Sequence, residues 1–119
     1  MGKRIQKLQM KNIGSRTIDL GFVGENIHTH IVIDCGEVLR DYPDATVTMQ
    51  ARPPGGDMYE PETVVDGSRV VWEVQANDVE SPGEGRYQLK FVSGNEIIKS
   101  AVGSYSVRRS LRVTSNEGR

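Results

Sequence analysis

Cysteine occurs once in this chain, at Cys35, so no internal disulfide can form and folding does not depend on an oxidising compartment. Aromatic residues make up only 6 % of the sequence, which favours a thin, turn-rich fold over a bulky helical one. No stretch approaches the roughly 20 consecutive apolar residues that cross a bilayer. The formal net charge is −1, so the molecule as a whole has no electrostatic preference for nucleic acid or for membrane. The opening "MGKRIQKLQMKNIGSR" is basic but lacks the continuous apolar region of a signal peptide, and a chain made soluble inside a cell is expected. A window fit for a long amphipathic helix is also missing. What remains is 119 residues with 13 glycines, enough for one thin, turn-rich domain.

Period-two alternation fills the body of the chain. "TIDLGFV" sets Ile18, Leu20 and Phe22 on one side. "NIHTHIVIDC" sets Ile27, Thr29, Ile31, Ile33 and Cys35 against His28, His30, Val32 and Asp34. "ATVTMQAR" turns Ala45, Val47, Met49 and Ala51 inward, "RVVWEVQ" turns Val70, Trp72 and Val74, and "RYQLKFV" turns Tyr87, Leu89 and Phe91. A last run, "EIIKSAVGSYSV", is apolar on both sides in places. The breaks fall at "RPPGGDMY", at Asp66-Gly67, at "SPGEGRY" and at Gly94-Asn95, with single helical turns expected at "GEVLRDYP" and "QANDVE". Short strands at roughly ten-residue spacing predict an all-β, immunoglobulin-like antiparallel sandwich of about seven strands. It should occupy residues 17–107, between a basic arm at 1–16 and a basic, disordered tail at 108–119. "EGRYQL" adds a Gly-x-Tyr at the start of a late strand. There Tyr87 could bond back to nearby backbone, as immunoglobulin-like domains do, or serve as an ordinary core tyrosine.

The chemical vocabulary is gathered in "ENIHTHIVIDCGE", which holds both histidines, an aspartate and the cysteine. On a strand, His28 and His30 share a face and could reach one metal ion. Asp34 shares that face but lies roughly 13 Å from His30 at strand rise, and Cys35 points the other way. No metal site is therefore assigned. The weaker alternative, a metal-dependent enzyme using His28 and His30, requires zinc to raise the melting temperature in a His28→Ala-sensitive way, and no shift would end it. Catalysis has no better footing. No Gly-x-Ser-x-Gly elbow exists, "PPGGD" lacks the Lys-Ser/Thr and helix of a phosphate loop, and Cys35 reads as a buried inert thiol. The pairs Asp41/Asp44 and Glu60/Glu62 are ordinary in surface loops. The strand faces offer Asp34, Glu73 and Gln88 instead of a basic, aromatic nucleic-acid surface. A protein without catalytic, cofactor or metal residues is expected.

The run "TIDLGFVGENIHTHIVIDCGEVLRDYPDATVTMQARPPGGDMYEPETVVDGSRVVWEV", followed by "GRYQLKFVSGNEIIKSAVGSYSV", resembles the immunoglobulin-like domains of bacteriophage and prophage tail proteins. Among these it is most similar to the N-terminal domain of the baseplate upper protein family of phages infecting Gram-positive bacteria. The resemblance spans about residues 17 to 107 and rests on turn and core positions. It implies a virion structural module, synthesised in the bacterial host cytoplasm, whose partners are other tail or baseplate proteins or further copies of itself. With nothing after "SVRRSLRVTSNEGR" to carry a distal host-contact part, attachment or assembly is the expected role. The apolar run Ile97, Ile98, Ala101, Val102, Tyr105 and Val107 is the place to look for an interface, and a plain buried strand explains it equally well. The rival reading is a carbohydrate-binding module for host cell-wall polysaccharide, with Tyr42 and Tyr59 as its loop aromatics.

Overall fold

The computed structural model describes residues 4–24 and 29–110. Nine strands among these residues form two packed sheets. They are β1 (Arg4–Gln9), β2 (Thr17–Phe22), β3 (Thr29–Asp34), β4 (Thr46–Arg52), β5 (Thr63–Asp66), β6 (Arg69–Val74), β7 (Gly83–Ser93), β8 (Glu96–Lys99) and β9 (Gly103–Arg108). One helix, α1 (Gly36–Asp41), and two 3₁₀ turns, Met10–Ser15 and Ala76–Val79, connect them. The first sheet has the order β1-β3-β6-β5 and the second β2-β9-β7-β4, with β8 also paired to β7. In immunoglobulin terms the first is A-B-E-D and the second G-F-C with β2 added beyond G. The all-β sandwich expected from the alternation is the fold.

Four features depart from that expectation. The basic stretch before Thr17 is no loose arm: Arg4–Gln9 is an edge strand paired in parallel with β3. The strand β2 likewise lies parallel to β9, so both sheets are mixed, and the described residues hold nine strands. The final apolar run is also two strands, of which β8 pairs only with β7 while β9 lies between β7 and β2. The tail expected from residue 108 begins with Arg108 inside β9, and Ser110 Oγ donates to the Val23 carbonyl. The rest of it lies outside the described residues.

The inward sides of the strands meet in one core built on Trp72, with Ile31, Ile33, Val70, Met49, Leu89, Phe91, Tyr87 and Tyr105 around it. The indole makes an edge contact with Tyr105 at 5.4 Å between centroids and a tilted one with Tyr87 at 6.2 Å. Tyr87 and Tyr105 each lie over a glycine of the neighbouring strand. Gly85 pairs with Tyr105 and Gly103 with Tyr87. A methyl group on Gly85 would stand 2.3 Å from Tyr105 Cζ, and one on Gly103 would stand 2.5 Å from Tyr87 Cε1. The Gly-x-Tyr motif thus has a packing cause. Both hydroxyls are buried without a hydrogen-bond partner among the described residues, where Tyr87 is an ordinary core tyrosine and does not bond back to the backbone.

Both hairpins turn on glycine. The loops Gly67-Ser68 and Gly94-Asn95 open with a glycine at φ +63° and +60°, the signature of a type II′ turn. A third glycine reverses a sequence expectation. Gly21, at φ +97°, breaks the register between Asp19 and Phe22 of β2. The alternation is interrupted there, and Phe22 turns outward instead of joining Ile18 and Leu20 in the core. Its ring lies 4.3 Å beneath the Arg108 guanidinium, which also bonds Asp19 at 2.9 Å.

Candidate functional site

The strand β3 carries the cluster singled out in the sequence, and its two sides have separate fates. Thr29, Ile31 and Ile33 are buried, and Cys35 follows them inward as the strand ends. His30, Val32 and Asp34 face outward. His28 lies outside the described residues. His30 stands between Ile5 of β1 and Glu73 of β6, while Asp34 stands between Gln9 and Arg69 and accepts the Gly36 N–H at 2.9 Å. Among the described residues no three His, Cys, Asp or Glu side chains gather as a metal site would require.

Cys35 sits at the base of α1, 1 % exposed, with its Sγ 3.6 Å from the Ile33 carbonyl. Burial, and secondarily the Asp34 carboxylate, push its thiol up to about 12. Burial raises Tyr87 and Tyr105 to about 12 as well. Tyr59 is raised by burial and by its bond to Asp78. Each of these groups is neutral in the fold and ionises more readily once unfolded. Their contribution is complete at neutral pH and is lost as pH climbs from the ordinary thiol and phenol range toward 12. Ellman's reagent is therefore expected to leave Cys35 untouched at pH 8 until the chain unfolds. Phenolate absorbance of Tyr59, Tyr87 and Tyr105 should appear together with the loss of near-UV circular dichroism. Three phenols titrating near pH 10 in a folded chain would contradict this packing.

A buried carboxylate went unseen in the sequence. Asp78, 3 % exposed, accepts from Trp72 Nε1 at 3.2 Å, from the Gln75 backbone N–H at 2.7 Å and from the Tyr59 hydroxyl. It ties the turn Ala76–Val79 and the loop after β4 to the central indole. The spacing Gln75-x-x-Asp78 resembles a capping box and is the one signal that could have found it. With all three donors aimed at it, this group is a structural anchor.

Two open grooves lie where β1 and β3 end. One, of about 550 Å³, runs beside Lys7, Lys11, Arg16, Val32, Asp34 and Arg69. The other, of about 670 Å³, lies between the Met10–Ser15 turn, the start of α1 and the segment after β8, and reaches Cys35 and Ser100. Neither holds a paired nucleophile and base. Among the aromatic side chains, Trp72 is fully buried, the Tyr59 hydroxyl is engaged by Asp78, and exposed Phe22 lies beneath the Arg108 guanidinium. The apolar surface lies instead on strands and their connections, with Ile5, Val64, Val65, Ile97 and Val102 all about half exposed or more. Of the expected interface run, Tyr105 and Val107 are core residues, whereas Ile97, Ala101 and Val102 are exposed and Ile98 is half-buried.

The fold is similar to that of a phage protein domain. The N-terminal domain of phage TP901-1 ORF48 superposes with a TM-score of 0.57 over 91 % of this chain and 99 % of that one. Sequence identity is 10 %, so the likeness is one of architecture. No family model matches the sequence, and no curated protein does. The likeness extends across both sheets rather than a fragment, which is what a shared domain requires and a shared hairpin would not.

Proposed function

We propose that this chain is a non-catalytic structural module of a bacteriophage or prophage tail or baseplate, acting in assembly or anchoring through protein–protein contacts. The fold shared with the TP901-1 ORF48 domain over nearly the whole chain carries the reading. The sequence resemblance to the baseplate upper protein family points the same way. The surface supports it physically. The sandwich leaves β1 and β5 as the edges of one sheet, and edge strands present unpaired backbone groups to a partner. The side chains of Gln6 and Arg16 cover part of the β1–β2 side, bonding the Asp19 and Lys7 carbonyls, whereas β5 and the outer edge of β8 carry exposed Val64, Val65 and Ile97. Partners would be other virion proteins, with the chain made in the host cytoplasm and ending in the particle. Among the described residues no helix is long and apolar enough to cross a membrane.

The reading is tested by the genes beside this one. Tail tape-measure, tail endopeptidase or holin neighbours are expected, and a metabolic operon would sink it. A fluorescence titration with cell-wall polysaccharide separates the carbohydrate reading, which needs saturable quenching. Buried Trp72 and engaged Tyr59 predict a flat response.

A further inference from the structure

The outward face of the sheet β1-β3-β6-β5 is laid out in three cross-strand rows. Gln9, Asp34, Arg69 and Asp66 form one end. Lys7, Val32, Val71 and Val64 form the middle. Ile5, His30 and Glu73 form the other end, continued by Glu62, whose carbonyl accepts the Glu73 N–H. The centre is apolar, with Val32 and Val71 half buried and Val64 46 % exposed. Asp34, Arg69, His30 and Glu73 are in no intrachain ion pair among the described residues. Ile5, Lys7, Gln9, Asp34, Arg69, Val64 and Asp66 of this face are exposed, and Lys11 and Arg16 border it on the β1 side, where the first groove lies.

We propose that this face pairs with the same face of a second copy of the chain. The pattern is self-complementary about a two-fold axis running along the strands between β3 and β6. That operation lays β3 on the second copy's β6 and β1 on its β5. Asp34 then meets Arg69, Val32 meets Val71 and His30 meets Glu73, each pair occurring twice as an isologous contact demands. Lys7 is set over Val64, flanked by Asp66 and Glu62. The other in-plane two-fold axis, across the strands, would set Arg69 on Glu73 and Asp34 on His30 but also Lys7 on Lys7 and Asp66 against Glu62, so like charges meet at both edges of the sheet. The charge order therefore selects one occupant and one orientation. Strand directions stay aligned, as sheet faces prefer.

Four strands about 4.8 Å apart and six residues at about 3.3 Å give a patch of roughly 19 by 20 Å. Two such corrugated faces bury on the order of 1,000 Å², the low end of specific interfaces, so the pairing is reversible. It is read from the face alone and rests on the assembly reading only for its setting.

Sedimentation velocity on the full chain, from micromolar to near-millimolar concentration, tests it. A monomer–dimer equilibrium that weakens with salt is expected. Val71→Lys should abolish the dimer. Arg69→Asp should weaken it about tenfold or more by facing Asp34 with Asp, and Asp34→Arg combined with Arg69→Asp should restore it. Circular dichroism establishes that each variant is folded, and Glu73→Lys supplies a second charge reversal if Arg69→Asp is not. A monomer at every concentration overturns the pairing while leaving the assembly reading standing. So does a dimer indifferent to Val71→Lys, which would place contact at the β5 or β8 edge, or a charge reversal that the compensating change does not rescue.

Discussion

Replacing Gly85 with alanine is expected to destabilise the domain by about 3 kcal/mol, the upper range for overpacking a closed core. For a domain of this size that lowers the melting temperature by roughly 10 °C or more. The added methyl would collide with the Tyr105 ring, whose Cζ, Cε2 and hydroxyl all lie within 2.7 Å of the ideal Cβ position. The ring cannot swing aside, because it is wholly buried and meets the Trp72 indole edge-on. Gly103→Ala should behave alike through Tyr87 and Ile13. Smaller partners relieve the clash, so the Gly85→Ala penalty should shrink when Tyr105 is first made leucine. Tyr105→Phe alone is expected to be neutral or slightly stabilising, since it removes a buried hydroxyl that has no partner. Thermal unfolding of these five variants decides this. Additive Gly85→Ala and Tyr105→Leu effects would show that the two positions do not meet.

The second large effect is at Asp78. Asp78→Ala strips the acceptor from the Trp72 N–H, the Gln75 N–H and the Tyr59 hydroxyl at once. Stranding buried donors costs about 1–3 kcal/mol each, discounted for relaxation and for water, so a loss of about 3–5 kcal/mol is expected. Asp78→Asn should cost about 1–2 kcal/mol, because one amide oxygen can still accept from Trp72 and Gln75 while its NH₂ turns to the Tyr59 oxygen. Without the carboxylate, Tyr59 also loses the charge and hydrogen bond that help raise its phenol, and its titration should move down toward the ordinary range. A Tyr59 titration and melting temperature unchanged in Asp78→Asn would mean the carboxylate does not hold the tyrosine.

Most of the sandwich was legible because its strands alternate cleanly and its hairpins are marked by glycine. The core positions Ile31, Ile33, Val70, Trp72, Leu89 and Phe91 follow directly from period two. The strand β1 was not legible, and the register explains why. Ile5 points to solvent and Leu8 to the core, so its two apolar residues are three apart and mimic no alternation. The outward turn of Phe22 depends on a positive φ at Gly21, which a glycine permits but does not announce. Parallel pairing of β1 with β3 and β2 with β9 joins segments far apart in the chain, where no turn length fixes the register. Asp78 was hidden because an aspartate in a short polar turn ordinarily faces water, and only the tertiary arrival of Tyr59 and Trp72 buries it.

The histidine stretch shows both sides of this. Its division into a core side and an outer side was readable from alternation, and the inert, buried Cys35 with it. What the outer side meets was not readable, because a strand's sequence does not say which residues of distant strands will stand beside it. Only the pairing of β3 with β1 and β6 places Ile5 and Glu73 beside His30, and Gln9 and Arg69 beside Asp34.

The claim that this chain is a virion structural module is tested most directly by its presence in particles. Quantitative mass spectrometry of purified phage or induced prophage particles from the strain encoding it should find the chain in a fixed ratio to other tail proteins. It should persist there through high-salt washing. Intact, tailed particles lacking the chain, with the protein recovered only from the host cell fraction, would contradict the account.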